Sequence, residues 1–498
     1  MYNQINSDIL RKAGDYILSD VTLVAYQTAD GQNPRKISVR DAVAEINIYE
    51  SINNKCLSGD ITLVDSQNVA NYLPLTGFER IEFTFFTPSS PRGFNFSMDT
   101  GHPMYIYRIA NRTETNPRTQ AYTLFFTSKE MLRNEQVRVS RAYDTSFDNV
   151  IMELVKRQDF LNSKKTLTVE ETRGVHKVVI PRLRPFAAID FLSKSSQSKA
   201  FNNAYHYFYE TANGFKYQSL ESMLAVTSNV ARPVVAKFVS KPINIKEGED
   251  TDKSVIETMQ IAEDVKVIDQ FNTLKNLRNG VYASRMVTHD NFNKTFSEID
   301  FDYHKDYPLH FHTEHDGQGG KAQEKYGAPF VVSENNKFYS DYPEGTLYYY
   351  TNTSKIHNTN ELPDWENFVP KSLSQRMMLQ SMRIAMTVPG FTGLSAGDLI
   401  TYEMPSYEPA DKKNPLDFDP YMSGRYVVES IRHRFDVARD KHIMNLECVK
   451  DSTRVAYPKE TIDTFTDRET NKNNANVLQY DLDDAIVSQT ESRSNIFK

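Results

Sequence analysis

The stretch AVAEINIYESINNKCLSGDITLVDSQNVANYLPLTGFERIEFTFFTP, residues 42–88, decides the fold of this chain. It contains three runs, AVAEINIYES, GDITLVDS and RIEFTFFTP, in which apolar and polar residues alternate, as Ile46 and Ile48 do around Asn47. Alternation with a period of two is typical of a strand with one buried face. The stretch therefore predicts closely spaced strands with short turns and one helical piece near residues 67–73.

The same alternation continues on both sides of this stretch, in VTLVAY before it and in MYIYRIANR and AYTLFFTS after it. About six strands thus lie between residues 21 and 128, and no long crossover helix separates them. Such spacing favours an antiparallel sheet that closes on itself, because a barrel leaves no exposed sheet edges. We expect a first β-barrel over residues 20–130, preceded by an N-terminal segment of residues 1–19.

Helical periodicity begins near residue 145. TSFDNVIMELVKRQ places apolar residues on one helix face behind a capping signature of Thr145 and Asp148, and PRLRPFAAIDFLSKSS predicts a second helix with Pro185 suited to its first turn. AYHYFYETANGFKYQSLESML predicts a strand, a turn at Asn213 and Gly214, a second strand and a short helix. Residues 131–230 are therefore predicted to form an α+β domain.

Strand patterns return in VVAKFVS, VYASRMVTHD and KTFSEIDFDY, and again in RIAMTV, DLITYEM, RYVVESIRHRF and HIMNLECV. We expect residues 231–305 and 376–455 to close a second barrel around an insertion of residues 306–375. Residues 456–498 are polar and acidic and are predicted to form a C-terminal arm. The predicted fold class is β-rich α+β, with two similar antiparallel barrels and an α+β domain between them.

Composition excludes several classes of function. The 58 basic and 65 acidic residues give a net charge of −7, which disfavours binding to nucleic acid or to an anionic membrane. Two cysteines cannot build a disulfide framework or a four-thiolate zinc site. No apolar run is long enough to span a bilayer, so we expect a soluble protein without membrane insertion.

The strongest chemical motif is the run HFHTEHD, residues 310–316, which resembles the HxHxDH signature of metallo-β-lactamase-type hydrolases. Glu314 stands where that signature has a metal-binding aspartate, and the later ligands of that fold are missing. The plainer interpretation is a histidine-containing loop beside a glycine-rich turn. We therefore predict no catalytic, cofactor or metal residues, with His310, His312 and His315 as the candidate ligands if a metal were bound.

Residues 42–88 also carry motifs of a known family: the ESI following the first strand, SGDITLVDS, the LPLTGFE turn and the F-x-F-x-TP strand. Further matches are FYETANGFKYQSLESML, PGFTGLSAGDLITYEMP and SGRYVVESIRHRF, in residues 208–224, 389–405 and 423–435. In this order along the chain, they resemble the baseplate hub proteins of contractile-tailed bacteriophages. The resemblance covers residues 20–455 and is strongest in the first barrel.

The resemblance implies a structural virion protein, not an enzyme, that is assembled in the host cytoplasm. It implies a homotrimer whose six barrels form a pseudo-sixfold ring joining the tail tube, or a tube-initiator protein, to the central spike. Tape measure and baseplate wedge proteins are further expected partners. DNA would pass through the ring without specific binding, and we hypothesise that an acidic lining repels its phosphates.

Two other functions compete with this interpretation: a metal-dependent hydrolase using His310, His312 and His315, and a cell-wall-binding tail protein. The repeats of a tail fibre and the helical unit of a cell-wall hydrolase are both missing from the sequence. The C-terminal arm contains six apolar residues that we expect to dock on a neighbouring chain. They are Val477, Leu478, Tyr480, Leu482, Ile486 and Val487.

Overall fold

The computed structural model describes residues 10–25, 34–73, 75–88, 90, 92–201, 205–227, 230–240, 255–290, 294–314, 339–351, 365–405, 418–419 and 421–454. All of these residues belong to the first of two compact units, which covers residues 1–455. His315 and the six apolar residues predicted to dock from the arm lie outside the described residues.

The first barrel is built from short antiparallel strands and one helical turn, as the alternating sequence predicts. Its elements are β1 (Ile17–Leu18), β2 (Thr22–Val24), β3 (Lys36–Ser38), β4 (Val43–Ser51), β5 (Ser58–Asp65), α1 (Val69–Tyr72), β6 (Arg80–Phe86), β7 (Gly93–Phe96), β8 (Met104–Asn116) and β9 (Thr119–Ser128).

The strands of the first barrel follow the order β4-β5-β9-β8-β6-β2-β3, and each of these ladders is antiparallel. The outer strands β3 and β4 are consecutive in the chain and are joined by a 3-10 turn, Arg40–Ala42. The sheet therefore curls until its two ends meet at this turn. Its inner face carries a fully buried core that includes Ile46, Phe85 and Phe126.

The α+β domain follows directly. Its elements are α2 (Lys129–Gln136), β10 (Val139–Thr145), α3 (Phe147–Lys156), β11 (Leu167–Val169), β12 (His176–Leu183), α4 (Pro185–Ser193), β13 (His206–Thr211), β14 (Gly214–Ser219), α5 (Leu220–Leu224), β15 (Ala225–Thr227) and β16 (Val230–Ala231). The predicted helices α3, α4 and α5 are present, and Pro185 lies in the first turn of α4. The antiparallel pairing of β10 with β12 is not predicted, because its outward residues are mostly polar and exposed, and residues 181–183, expected in the helix, belong to β12.

The rest of the unit contains the second barrel and a smaller sheet. Its elements are β17 (Ala236–Ser240), α6 (Val255–Met259), β18 (Ile261–Asp269), α7 (Thr273–Arg278), β19 (Ala283–Asp290), β20 (Thr295–Asp302), α8 (Tyr303–Asp306), β21 (Leu347–Thr351), α9 (Trp365–Leu379), β22 (Met382–Pro389), β23 (Leu399–Glu403), β24 (Gly424–Asp436) and β25 (Lys441–Lys450).

Six of these strands close into a ring in the order β23-β17-β18-β22-β25-β24, and pairing of β23 with β24 completes it. The core inside includes Ile384, Tyr402 and Leu446. Strand β17 runs parallel to both of its neighbours, whereas the other ladders of the ring are antiparallel. The predicted fold class, β-rich α+β with two barrels, is confirmed.

One part of the predicted second barrel is wrong. Strands β19 and β20 do not join the ring; they pair with β21, from the expected insertion, in a separate three-stranded sheet. Helix α9 covers this sheet, and Val369 packs there with Met286. The place in the ring belongs to β18, which the sequence did not predict because most of its residues are charged or exposed.

The two barrels share one sheet. Residues Ser430–Asp436 of β24 pair antiparallel with residues Glu45–Ser51 of β4. Strand β24 is long enough to serve both barrels, because its first residues pair with β23 and its last residues with β4. Eight adjacent strands thus run without interruption through the larger fifteen-stranded sheet, in the order β18-β22-β25-β24-β4-β5-β9-β8.

These eight strands consist of one four-stranded arrangement used twice. In chain order, β4, β5, β8 and β9 contain 9, 8, 13 and 10 residues, and β18, β22, β24 and β25 contain 9, 8, 13 and 10. In both sets the order of the strands across the sheet is the same: the first strand in the chain, then the second, then the fourth, then the third. The two sets follow each other head to tail, so that the last strand of one, β24, pairs with the first strand of the other, β4.

Candidate functional site

The eight-stranded sheet has one face in the two barrel cores and a second face of mainly polar side chains. Along β24, the buried residues Ile431, His433 and Phe435 alternate with the partly exposed residues Arg432 and Arg434. This alternation is the reason that one strand can serve a core and a polar surface at once. We call the second face the polar face.

The centre of the polar face is the junction of the two barrels. Nη2 of Arg434 lies 2.9 Å and Nη2 of Arg432 lies 3.5 Å from the carboxylate of Glu45 across the β24–β4 ladder. On the next strand, Asp60 accepts hydrogen bonds from Asn47 and from the Tyr49 hydroxyl. Burial, together with the carboxylate of Asp60, raises the pKa of Tyr49 to about 12, so this hydroxyl stays protonated.

The polar face carries basic and acidic residues in similar numbers. The residues that share this face through cross-strand pairing include six basic ones, Arg108, Lys266, Arg383, Arg432, Arg434 and Lys441, and six acidic ones, Glu45, Asp60, Glu263, Asp269, Asp436 and Glu447. The hypothesis of an acidic channel lining stays a prediction. The net charge of the chain, −7, does not show where its charges lie.

A cleft of about 630 Å³ opens on the polar face beside the junction, between β18, β22, β25, β24 and β4. Its lining includes Lys266, Arg383, Glu429 and Arg432. Arg383 forms an ion pair with Glu429, whose other carboxylate oxygen accepts hydrogen bonds from Asn53 and Gln380. Arg383 and Glu429 are thus engaged with each other and with neighbouring amide side chains.

The outermost strands of the eight-stranded sheet have bare edges in the part of the chain that the structure describes. On its outer side, β8 pairs with β6 only at Met104 and Tyr105, which leaves residues 107–116 without a ladder. On its outer side, β18 pairs with β17 only at Ile261 and Ala262, which leaves residues 263–269 without one. Unpaired backbone groups of this kind are ready to bind another strand.

The histidine cluster lies away from this face, buried between α5, α8 and the end of β25. The ring of His310 lies between two carboxylates: Nδ1 contacts Glu221 and Nε2 lies 3.0 Å from Asp306. Burial opposes charging of His310, but hydrogen bonds with Asp306 and Glu221 outweigh it and raise its pKa above the ordinary value. Asp306 also forms an ion pair with Lys371 at 2.9 Å.

His312 is held in a similar way. Its Nδ1 lies 2.7 Å from Asp451, its Nε2 donates to the carbonyl of Tyr307 at 2.8 Å, and its ring stacks on the ring of Tyr307. Asp451 also accepts hydrogen bonds from the backbone and hydroxyl of Thr313. Both nitrogens of each histidine are therefore engaged by protein oxygens, and among the described residues no group of three or more His, Cys, Asp or Glu side chains is placed so that it could hold a metal ion.

The sequence could not show these partners, because Glu221 and Asp451 are 89 and 139 positions away from the histidines that they bind. The interpretation of the motif as a structural loop fits the geometry better than a hydrolase site. Reasoning from the sequence also did not predict the polar face or the strand edges without a ladder among the described residues. The repeated strand lengths were the signal that could have indicated the two similar four-stranded units. Among the helices that the structure describes, none is long and apolar enough to cross a membrane.

The fold and the polar face are those of a β-rich structural protein with barrels joined through a common sheet. No protein-family model matches the chain. Its sequence is 22% identical over 431 residues to the probable baseplate hub protein gp334 of Vibrio phage KVP40, an alignment that covers 84% of this chain and 91% of that relative. This similarity confirms the resemblance to phage baseplate hub proteins, structural components of the virion tail, that residues 42–88 indicated.

Two solved structures show a similar fold over most of their length. One is a tail protein from Neisseria meningitidis MC58, with 8% identity, a TM-score of 0.47 and coverage of 88% of this chain and 97% of that one. The other is the 43 kDa tail protein of prophage MuSo2 from Shewanella oneidensis, with 10% identity, a TM-score of 0.45 and coverage of 87% and 98%.

Proposed function

We propose that this protein is a homotrimeric baseplate hub that forms a pseudo-sixfold ring between the tail tube and the central spike of a phage virion, and that it is not an enzyme. The observation that carries the proposal is the four-stranded unit, used twice head to tail, whose end strands have edges without a ladder to any residue that the structure describes. A surface that binds the opposite end of an identical copy is heterologous and closes into a ring when the rotation allows. Three chains then supply six units.

The polar face would line the channel of this ring, because the opposite face is occupied by the two barrel cores. Its balanced charges favour passage of DNA without specific binding: cations such as Arg432 and Arg434 are already paired with Glu45. Arginine that is paired with a carboxylate gains little from a phosphate. The channel therefore need not be acidic to let DNA slide.

The remaining partners belong to the same proposal. A ring with six similar barrels suits a sixfold tube or tube-initiator protein on one side, and three identical chains suit a threefold spike on the other. Tape measure and baseplate wedge proteins would contact its periphery, and assembly would take place in the host cytoplasm. The alternatives, a hydrolase or a cell-wall-binding tail protein, have no comparable support in the described geometry.

The mass of the purified protein at micromolar concentration tests this function. Three chains of 57.3 kDa give about 172 kDa, and negative-stain images of the particle should show a ring with a central channel. A monomer or a closed twofold dimer at the same concentration would contradict the proposal.

A further inference from the structure

We infer that residues 110–116 of β8 pair antiparallel with residues 263–269 of β18 in the next copy, and that the charges of these two edges impose the head-to-tail direction. The inference rests on the proposed ring and identifies its subunit contact. It is drawn from the junction between the two barrels inside one chain, which serves as a template for the contact between chains.

The template gives the register. Inside the chain, the seventh to thirteenth residues of β24 pair with the third to ninth residues of β4, with Ser430 opposite Ser51. Counted in the same way, β8 and β18 contribute residues 110–116 and 263–269, with Ala110 opposite Asp269. These segments fall within the parts of β8 and β18 whose outer edges have no ladder among the described residues.

The facing of the side chains agrees with this register. Ala110 lies opposite Thr123 of β9, and Asp269 lies opposite Arg383 of β22. Thr123 and Arg383 both belong to the polar face, so Ala110 and Asp269 point to the same side of the sheet. A directly opposed pair in a ladder must share one side, because side chains alternate along each strand.

The charges of the two edges are complementary. Residues 107–116 carry Arg108 and Arg112 against one acidic residue, Glu114, whereas residues 263–269 carry three acidic residues against Lys266. The internal junction has the same polarity, with Arg432 and Arg434 on β24 and Glu45 on β4. Pairing of β8 with a second β8, or of β18 with a second β18, would bring like charges together.

Two backbone features restrict these edges further. Asn111 of β8 and Asp264 of β18 have left-handed conformations, with φ of 54° and 47°, at irregularities of their ladders. A bulge on an edge strand disfavours pairing of that edge with an arbitrary strand. It permits pairing with a strand whose own irregularities match it. Exposed apolar residues beside them, Ile109, Val267 and Ile268, would be covered by the contact.

Charge exchange tests the direction of the contact by sedimentation of the full-length protein. Arg108→Glu with Arg112→Glu, and separately Glu263→Lys with Asp269→Lys, should each raise the trimer dissociation constant at least about tenfold. All four substitutions in one chain should restore it to within about threefold of the wild type. The matched control is Arg138→Glu with Arg173→Glu, an equal change of charge on the α+β domain, which should leave the trimer unchanged.

A cross-link tests the register without reversing charges. Ala110→Cys combined with Asp269→Cys should give a covalent trimer under mild oxidation, while either substitution alone should not. The natural cysteines, Cys56 and Cys448, are buried and give no background. A wild-type trimer with neither charge rescue nor cross-link overturns this inference and leaves the proposed ring intact, whereas a wild-type monomer overturns the ring itself.

Discussion

Hydrogen bonds between single residues far apart in the sequence connect the elements of this protein. His310 links α5 to α8 through Glu221 and Asp306, and His312 links the loop after α8 to Asp451 at the end of β25. Both rings are almost fully buried. Buried carboxylates need a hydrogen-bonding or cationic partner. The two histidines of a motif that suggests metal chemistry in the sequence therefore stabilise contacts between distant elements of the fold.

Substitution His310→Gln should lower the free energy of unfolding by about 3 kcal/mol at pH 6, because the buried Glu221 loses the cation that His310 supplies, while Asp306 keeps its ion pair with Lys371. The pKa of His310 is raised in the fold, so its contribution is complete below the unfolded value of 6.5 and declines as pH rises through the folded value. Urea denaturation from pH 5.5 to 9 should show the wild type and the variant converging as pH rises.

The control is His289→Gln, at a half-buried residue on β19, which should leave the free energy of unfolding at pH 6 within about 1 kcal/mol of the wild type. A constant difference between wild type and His310→Gln across this range would contradict the assignment of a charged His310. Stoichiometric zinc in the purified protein would contradict the structural role of the cluster altogether.

At the scale of elements, the first barrel is joined to the α+β domain by a buried ionic network. Nζ of Lys165 lies 2.8 Å from Glu130 of α2 and 2.5 Å from Glu210 of β13. Glu210 in turn accepts hydrogen bonds from the backbone of Leu57 and the hydroxyl of Ser128, both in the barrel. Burial alone would lower the pKa of Lys165, but Glu210 and Glu130 raise it, so the amine stays charged.

We expect Lys165→Met to destabilise the protein by about 3 to 5 kcal/mol, because it leaves two buried carboxylates without a cation. Thermal and urea unfolding measure the effect. Lys199→Met removes the fully exposed ion pair with Glu171 and serves as the control, for which no change is expected. Equal stability of the two variants would show that Lys165 does not stabilise the contact between the first barrel and the α+β domain.

The sequence predicts elements well where burial sets their pattern. β6 and β22 alternate cleanly because one face lies in a core, and α3 shows its apolar stripe for the same reason. Prediction from the sequence fails for β18, because its exposed charged residues interrupt the strand pattern. It also fails for the separate sheet of β19, β20 and β21, because β21 comes from a region without a sustained period. Long-range pairing, not local propensity, decides these elements.

For the whole molecule, the C-terminal arm stays a prediction: its residues lie outside those described, and its apolar residues Val477 to Val487 are expected to dock on a neighbouring chain. Deletion of residues 457–498 should leave a folded ring that assembles poorly into baseplates, because the arm is too polar to build a core. Sedimentation, thermal unfolding and incorporation into tails are the measurements. Loss of the trimer or of the thermal transition would show that the arm belongs to the fold.

The joining of two units by the β24–β4 ladder also changes the thermodynamics of assembly. Six separate units would need five bimolecular encounters before the ring closes, each with its loss of translational and rotational freedom. In this chain, one contact in every two forms during folding, at an effective concentration that does not depend on dilution. A ring of three such chains needs only two encounters before it closes, so it should persist at protein concentrations far below those that a ring of six single units would require.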